Sequence, residues 1–342
     1  MRRKKKTTKK TTAETTPIID DGIPSIAVGI LLRQDGYFLL TKRVSRYQSY
    51  PGYWEFPCAP VEGEDTPEMT IKRIFQERLG VIFDQANTWV TRVVSHNKSK
   101  VRLHVYQIVE WVGDVQPIAE DTLKWCVTDD ADDMSIFPYH ASLIKPLSLP
   151  RYSAITCAFM PKFMLATIQK TLENSEIKHI HIREKRLKPR GKRIFADRVI
   201  AVCEEYDALC VYNVSSLQDL DEAKQIEGLD GIHLTTDMLH KIKKRPDFEW
   251  VGASCHNQKD IEKSNALGCD YIYLSPVNST PSHPEAKPLG WAGFEKLAIL
   301  SAAPVYALGG MMISDLNTAQ LRGGHGIASL RNFWRHIAIN YL

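Results

Sequence analysis

Carboxylates crowd one short stretch of this chain. Glu62, Glu64, Asp65 and Glu68 lie just ahead of and at the start of a helical segment that also carries Arg73, Glu77 and Arg78. A hard divalent cation takes oxygen ligands, so this loop is a candidate source of them. The bland alternative is a solvated acidic loop. Glu77 stands directly before Arg78, and one carboxylate beside a guanidinium makes a poor cation site, because the fixed positive charge repels the ion. Arg78 is better suited to pair with Glu77 or to grip a phosphate. Far along the chain a second kind of chemistry is written differently. The pair Gly309-Gly310 lets backbone approach an anion closely, and Ser329 adds a hydroxyl, so these residues read as a phosphate cup.

The elements that must hold these groups differ between the two halves. Ser25 to Leu32 (SIAVGILL) reads as a strand, Gln34-Asp-Gly36 as a turn and Tyr37 to Thr41 as a second strand, together a hairpin. Pro57 to Pro67 reads as loop. A helix then starts with Thr66 as N-cap, Pro67 at its first position and Glu68 in its first turn, and ends at Gly80. Trp89 to Val94 and Val101 to Trp111 alternate as strands, and Phe137 to Pro150 is the linker candidate. From there short apolar runs alternate with helical segments, the signature of βα units and a parallel sheet. The strands are read at Ala154–Phe159, His179–Arg183, Leu209–Asn213, Gly231–Leu234, Trp250–Ser254, Tyr271–Ser275, Val305–Leu308 and Gly326–Leu330. Helices such as Lys162–Asn174, Lys192–Glu205 and Gln258–Leu267 lie between them. Eight such units fit a compact (β/α)8 barrel, whose active sites form at the C-terminal ends of the strands.

A length of 342 residues calls for two domains, and 44% hydrophobic with 25% charged residues is the composition of a soluble globular protein. No apolar run approaches a membrane span. The formal charge of +4 is carried by Met1 to Lys10, since removing its seven Lys and Arg leaves −3. That tail reads as a solvated arm, with nucleic acid or acidic lipid as its alternative contacts. It lacks the apolar core of a secretory signal, so a cytoplasmic location is expected. The seven cysteines contain no CxxC pair and read as reduced, mostly buried thiols, without support for a zinc site.

The run from Gly52 to Val81, GYWEFPCAPVEGEDTPEMTIKRIFQERLGV, resembles the Nudix box of MutT-type hydrolases, over roughly residues 22 to 145. Laid on that pattern, Ala59 stands at the opening Gly, Asp65 at the first Glu, Arg73 at the Arg, and Gly80 with Val81 at the end. Glu77 keeps one of three helix carboxylates, and Ile74 and Arg78 occupy the other two positions. The resemblance implies hydrolysis of nucleoside triphosphates of the 8-oxo-dGTP kind. Mg2+ would sit on Glu77, Asp65 and Glu64, with Glu77 and Arg73 in the catalytic centre and Lys42 and Arg43 beside the substrate. Cys58-Ala59-Pro60 replaces a Gly-Gly-Lys, and His140 stands at a purine-reading Asn. A binding-only domain, like that of some adenine glycosylases, is the alternative.

The second half resembles the thiamine-phosphate synthase and TenI family over residues 152 to 335. Ile182-Arg-Glu-Lys185, Asp230-Gly-Ile-His-Leu234, Gly252-Ala-Ser-Cys-His-Asn257, Ser275-Pro276, Ala307-Leu-Gly-Gly-Met311 and Gly326-Ile-Ala-Ser329 carry that resemblance in order. It implies a phosphate or pyrophosphate held by Arg183, Lys185, Asn213, Ser254, Thr280, Ser282, Gly309, Gly310 and Ser329. Val214 and Thr235-Thr236-Asp237 stand where the synthase has Mg2+-holding aspartates, His181 where a Gln is usual and His283 where a Lys is usual. TenI-type thiazole tautomerases need no metal and use a His as acid and base, a role suited to a side chain that titrates near neutrality. His256 matches that position, with a hydrogen-bonded scaffold histidine as its bland alternative.

The resulting expectation is an α/β protein in three parts. Residues 1–21 form a basic tail, 22–145 a Nudix α/β/α sandwich with a mixed sheet, and 152–342 a (β/α)8 barrel of the TIM type. Its partners are nucleotides or thiamine and thiazole phosphates, and no membrane. The acids thinned from both halves set binding or sensing against catalysis.

Overall fold

The computed structural model describes residues 22–44, 49–116, 122–157, 161–280, 285 and 287–334. The basic tail, Ser282 and His283 lie outside the described residues. Among the described residues no helix is long and apolar enough to cross a membrane.

The first half is built on two sheets. Strand β1 (Ser25–Leu31) is buried along most of its length, which places it inside a sheet. β4 (Cys58–Pro60) pairs antiparallel on one edge of β1 and β6 (Ser99–Ile108) parallel on the other, and β5 (Asn87–His96) extends the sheet beyond β6. β2 (Phe38–Lys42) joins β3 (Trp54–Glu55) and β7 (Leu123–Cys126) in a second, three-stranded sheet. The expected hairpin is thereby corrected. β1 and β2 share only the bridge Leu32–Phe38, because both edges of β1 are already taken. The expected loop Pro57–Pro67 likewise contains β4.

Helix α1 (Pro67–Leu79) follows its local signals. The Thr66 hydroxyl accepts from the Met69 N–H at 3.2 Å, and Gly80 closes the helix in the left-handed region, at φ 69°. Ile71, Ile74, Phe75 and Leu79 pack under the sheet with Ala27 and Leu31. Short helices α2 (Thr128–Asp132) and α3 (Pro138–Ile144) complete the domain, and a 3-10 turn, Lys145–Ser148, leads out of it. The presumed linker Phe137–Pro150 is thus mostly helical, and Leu143 and Ile144 belong to the apolar core.

The second half is a closed barrel of eight parallel strands. They are β8 (Tyr152–Ile155), β9 (His179–Ile182), β10 (Leu209–Val214), β11 (Gly231–Leu234), β12 (Trp250–Cys255), β13 (Tyr271–Leu274), β14 (Val305–Leu308) and β15 (Gly326–Ser329), and β8 pairs with both β9 and β15. Between them run α4 (Pro161–Asn174), α5 (Pro189–Glu205), α6 (Leu217–Ala223), α7 (Thr236–Lys241), α8 (Gln258–Leu267), α9 (Gly290–Ala298) and α10 (Leu316–Leu321). The aliphatic core lies between strands and helices. Inside the barrel the filling is aromatic and polar: the rings of His179, His181, His233, Tyr271, Tyr273 and Tyr306 meet one another tilted or edge to face.

The halves meet at the N-terminal end of the barrel. The Trp89 indole N–H, from β5, donates to His325 Nδ1 at 3.1 Å, and His325 Nε2 donates to the Leu149 carbonyl at 2.9 Å. Arg151 donates to the His325 carbonyl at 3.1 Å, and Tyr306 donates to the Pro150 carbonyl at 2.5 Å. The chain leaving the first domain is therefore fixed to the barrel by buried polar bonds, away from the strand ends where a site is expected.

Candidate functional site

A cavity of about 600 Å³ opens at the C-terminal ends of the barrel strands. Arg183, Lys185, Asn213, Ser254, His256, Thr280, Gly309, Gly310 and Ser329 all line it. Every described barrel residue expected to bind the phosphate, and His256 with them, thus lines one cavity. His181, Tyr273, Lys287, Arg331 and Asn332 also line it, and no carboxylate does among the described residues. Lys287, Arg331 and Asn332 went unnoticed in the sequence, where only their closeness to Pro288-Leu-Gly290 and to Ser329 marks them.

His179 and His181 on β9 and Arg183 just after it follow the strand's alternation, from the closed barrel centre to the cavity rim. His181 is 2% exposed, and neither of its ring nitrogens has a hydrogen-bond partner. Burial first, then the neighbouring His233, His179 and Arg183, push its pKa well below 6.5, so it is neutral near pH 7. At the rim, the Arg183 guanidinium lowers the Lys185 pKa, with burial adding to it, as expected of two cations sharing an anion site. Arg183 is held in turn by its own N–H, which donates to Thr156 Oγ1 at 2.9 Å.

Opposite, Gly309 and Gly310 have φ of 110° and 71°. A Cβ on Gly309 would stand 2.9 Å from Pro276 Cα and from Val277 N, so glycine is required by conformation and by space alike. The Ser329 hydroxyl donates to the Met311 carbonyl at 3.3 Å and accepts from the Asn332 N–H at 3.3 Å, which closes the far wall. His256 follows β12. Its Nδ1 donates to the Ser275 carbonyl at 2.7 Å, which leaves the lone pair of the neutral ring on Nε2.

The box in the first half is arranged differently. Ile74 is 4% exposed and belongs to the core, while Glu64 and Glu77 lie on the solvent side. Asp65 pairs with Arg73 at 3.2 Å and Glu68 with Lys72 at 2.8 Å. Lys42 lies over the Trp54 ring at 5.6 Å, and Arg43 pairs with Glu55 and covers Phe137 at 4.1 Å. The donors expected for Mg2+, Glu77, Asp65 and Glu64, do not form a cluster of three. The residues present do not fit that ion.

One group of potential metal donors does converge among the described residues: Glu55, Cys58 and His140, with ligand atoms within 4.8 Å of one another. The Phe56 N–H donates to His140 Nδ1 at 3.2 Å, and burial lowers the His140 pKa to about 3, so the neutral ring carries its proton on Nε2. Burial also pushes the Cys58 thiol well above its ordinary value and raises Glu55. Without a bound ion the group therefore holds a thiol and a neutral imidazole. A buried Nε2–H without a partner remains on His140, whose ring belongs to the same group as the Glu55 carboxyl and the Cys58 thiol.

Comparisons agree with this division. A family model described as thiamine monophosphate synthase matches residues 153–333, and one described as NUDIX domain matches residues 24–146. A putative thiamine-phosphate synthase 2 of Aquifex aeolicus is 34% identical over 192 residues, which are 55% of this chain and 99% of that protein. A thiamine-phosphate synthase of Prochlorococcus marinus is 31% identical over 136 residues, 39% of this chain and 37% of that protein. Of solved structures, the thiamine phosphate pyrophosphorylase of Pyrococcus furiosus is similar at 20% identity and TM-score 0.45, covering 55% of this chain and 92% of that one. The chain therefore belongs to the thiamine monophosphate synthase family through its barrel, and carries a NUDIX domain before it.

Proposed function

We propose that the barrel binds the phosphate ester of a small neutral heterocycle, of the thiazole phosphate class, and isomerises it by moving one proton without a metal. The observation that carries this reading is the cavity lining, which offers Arg183, Lys185, Lys287 and Arg331 and, among the described residues, no carboxylate. Such a site neutralises an anion directly. Gly309, Gly310, Thr280 and Ser329 receive the phosphate, with Arg183 and Lys185 supplying charge from across the cavity and Asn213 and Ser254 adding polar contacts. His256 Nε2 takes a proton from one atom of the ring system and returns it to another, so atoms balance with no co-reactant. The Ser275 carbonyl holds Nδ1–H and steadies the imidazolium formed in between. Turnover of a thiazole phosphate tautomer in the presence of EDTA tests this. Loss of turnover in His256→Asn supports it, and unchanged turnover ends it.

A second reading concerns the NUDIX domain, and rests on the unpartnered His140 Nε2–H. It is a nucleotide-binding module in which His140 and Glu55 meet a base edge, in place of an 8-oxo-dGTP diphosphatase working through Mg2+, Glu77 and Arg73. Pyrophosphate release from 8-oxo-dGTP at equal background rates in the wild type and Glu77→Gln supports binding alone. A Glu77-dependent rate restores the hydrolase.

A further inference from the structure

Two loops at the top of the barrel are built alike. After β10, the Ser216 hydroxyl accepts from the Asp219 N–H at 3.0 Å, while Asp219 Oδ2 accepts from the Ser215 N–H at 2.9 Å. After β12, Asn257 Oδ1 accepts from the Asp260 N–H at 3.1 Å, while Asp260 Oδ2 accepts from the His256 N–H at 2.8 Å. Each is a reciprocal cap on the helix that follows. Both aspartates are buried, Asp219 at 6% and Asp260 at 3% exposure, and each has a basic partner on its other oxygen: Lys192 at 3.2 Å and His240 at 2.7 Å. What differs is the residue being held. In the first loop it is Ser215, and in the second it is His256, whose ring is also tied to Ser275.

We infer that Asp260 is a positioning residue for His256. It grips the histidine backbone while the Ser275 carbonyl grips the ring. Together these two bonds leave the side chain one orientation, with Nδ1–H outward to Ser275 and Nε2 as the lone-pair nitrogen of a cavity-lining ring. His240 holds the second oxygen of Asp260, so the carboxylate cannot swing away from the His256 N–H without losing that partner. Asp260 itself touches no ligand. The other loop supplies an internal control, because Asp219 performs the same capping without a histidine at its end.

This inference rests on the proposed role of His256, and the test separates the two. Full-length wild type, Asp260→Ala, Asp260→Asn and Asp219→Ala would be labelled with 15N-histidine. The ring-nitrogen shifts of His256 would be read at neutral pH, with thiazole phosphate turnover measured in parallel. Wild type and Asp219→Ala are expected to show the Nδ1-protonated ring. Asp260→Ala is expected to show a mixture of tautomers and a kcat about 10-fold lower, with KM within about 2-fold. Asp260→Asn, which keeps an acceptor for the His256 N–H, recovers most of the wild-type spectrum, and it stands in for the alanine variant if that one fails to fold. An unchanged His256 tautomer in Asp260→Ala overturns the inference, as does an equal change in Asp219→Ala. A wild-type rate in His256→Asn would instead end the proposed activity and leave the tautomer result standing.

Discussion

The box helix and the barrel cavity preserve different things. In α1 the framework residues survive: Thr66 caps, Gly80 closes, and Ile71, Phe75 and Leu79 pack. Of the three helix positions where the Nudix resemblance implies carboxylates, Ile74 lies in the core, Arg78 is a cation, and Glu77 is an acid. In the barrel the described residues expected to meet an anion converge on a single cavity, which no carboxylate lines among the described residues. A helix can lose its reactive face and remain a helix, because its stability comes from the buried side. In the cavity, by contrast, cations stand close enough for the Arg183 guanidinium to lower the Lys185 pKa.

The largest contrast expected between the halves is acid lability. His179, His181, His233 and His325 are buried in the barrel, and His104 and His140 in the first domain, all with pKa values lowered chiefly by burial, His179 to about 3 and His104 to about 4. The unfolded chain takes up these protons near pH 6.5 and the folded chain does not. Stability is therefore complete above pH 6.5 and is lost as pH falls from there toward the folded values. At about 1.4 kcal/mol per histidine for one pH unit, the barrel should lose about 6 kcal/mol by pH 5.5 and the first domain about 3. Urea unfolding followed by signals from each half at pH 7.5 and 5.5 checks this, and pH-independent midpoints would break the contrast.

Next in size, His256→Asn should lower turnover by about 10² or more, as for loss of an acid/base group, and leave phosphate affinity unchanged in calorimetry. Restoring a box acid should do the opposite of helping. Ile74→Glu places a carboxyl in the core and should cost about 3 kcal/mol in chemical denaturation with no gain in pyrophosphate release. A stable, active variant would show that the frame still accepts the chemistry. The smallest effect is expected at the rim. Lys185→Ala should weaken binding of the phosphate about 10-fold. In the wild type, affinity should fall as alkaline pH removes the Lys185 proton, starting below the usual 10.5 because that pKa is lowered.

Much of this was legible because its causes are local. The cap at Thr66, the stop at Gly80 and the βα alternation depend on neighbours within a turn or a strand. So does the gathering of Gly309, Gly310 and Ser329, since barrel topology brings all C-terminal strand ends together. Errors arose where a distant partner decides. β2 left β1 because β4 and β6 had taken its edges, and β8 begins at Tyr152, two residues before the expected start, where β15 pairs with it. Helix α3 was read as linker because its apolar residues are few. The Trp89–His325 bond spans 236 residues, and His240–Asp260 joins two separate helices, so neither leaves a mark in sequence spacing. The orphaned nitrogens of His181 and His140 appear only when packing shows what fails to reach them.

The central claim, that the barrel cavity binds a phosphorylated heterocycle through its own cations, is tested most directly by titrating thiazole phosphate into the full chain in a calorimeter. One titration contains EDTA and the other excess Mg2+. Equal Kd values are predicted. Binding that requires Mg2+, or no binding in either buffer, would contradict it.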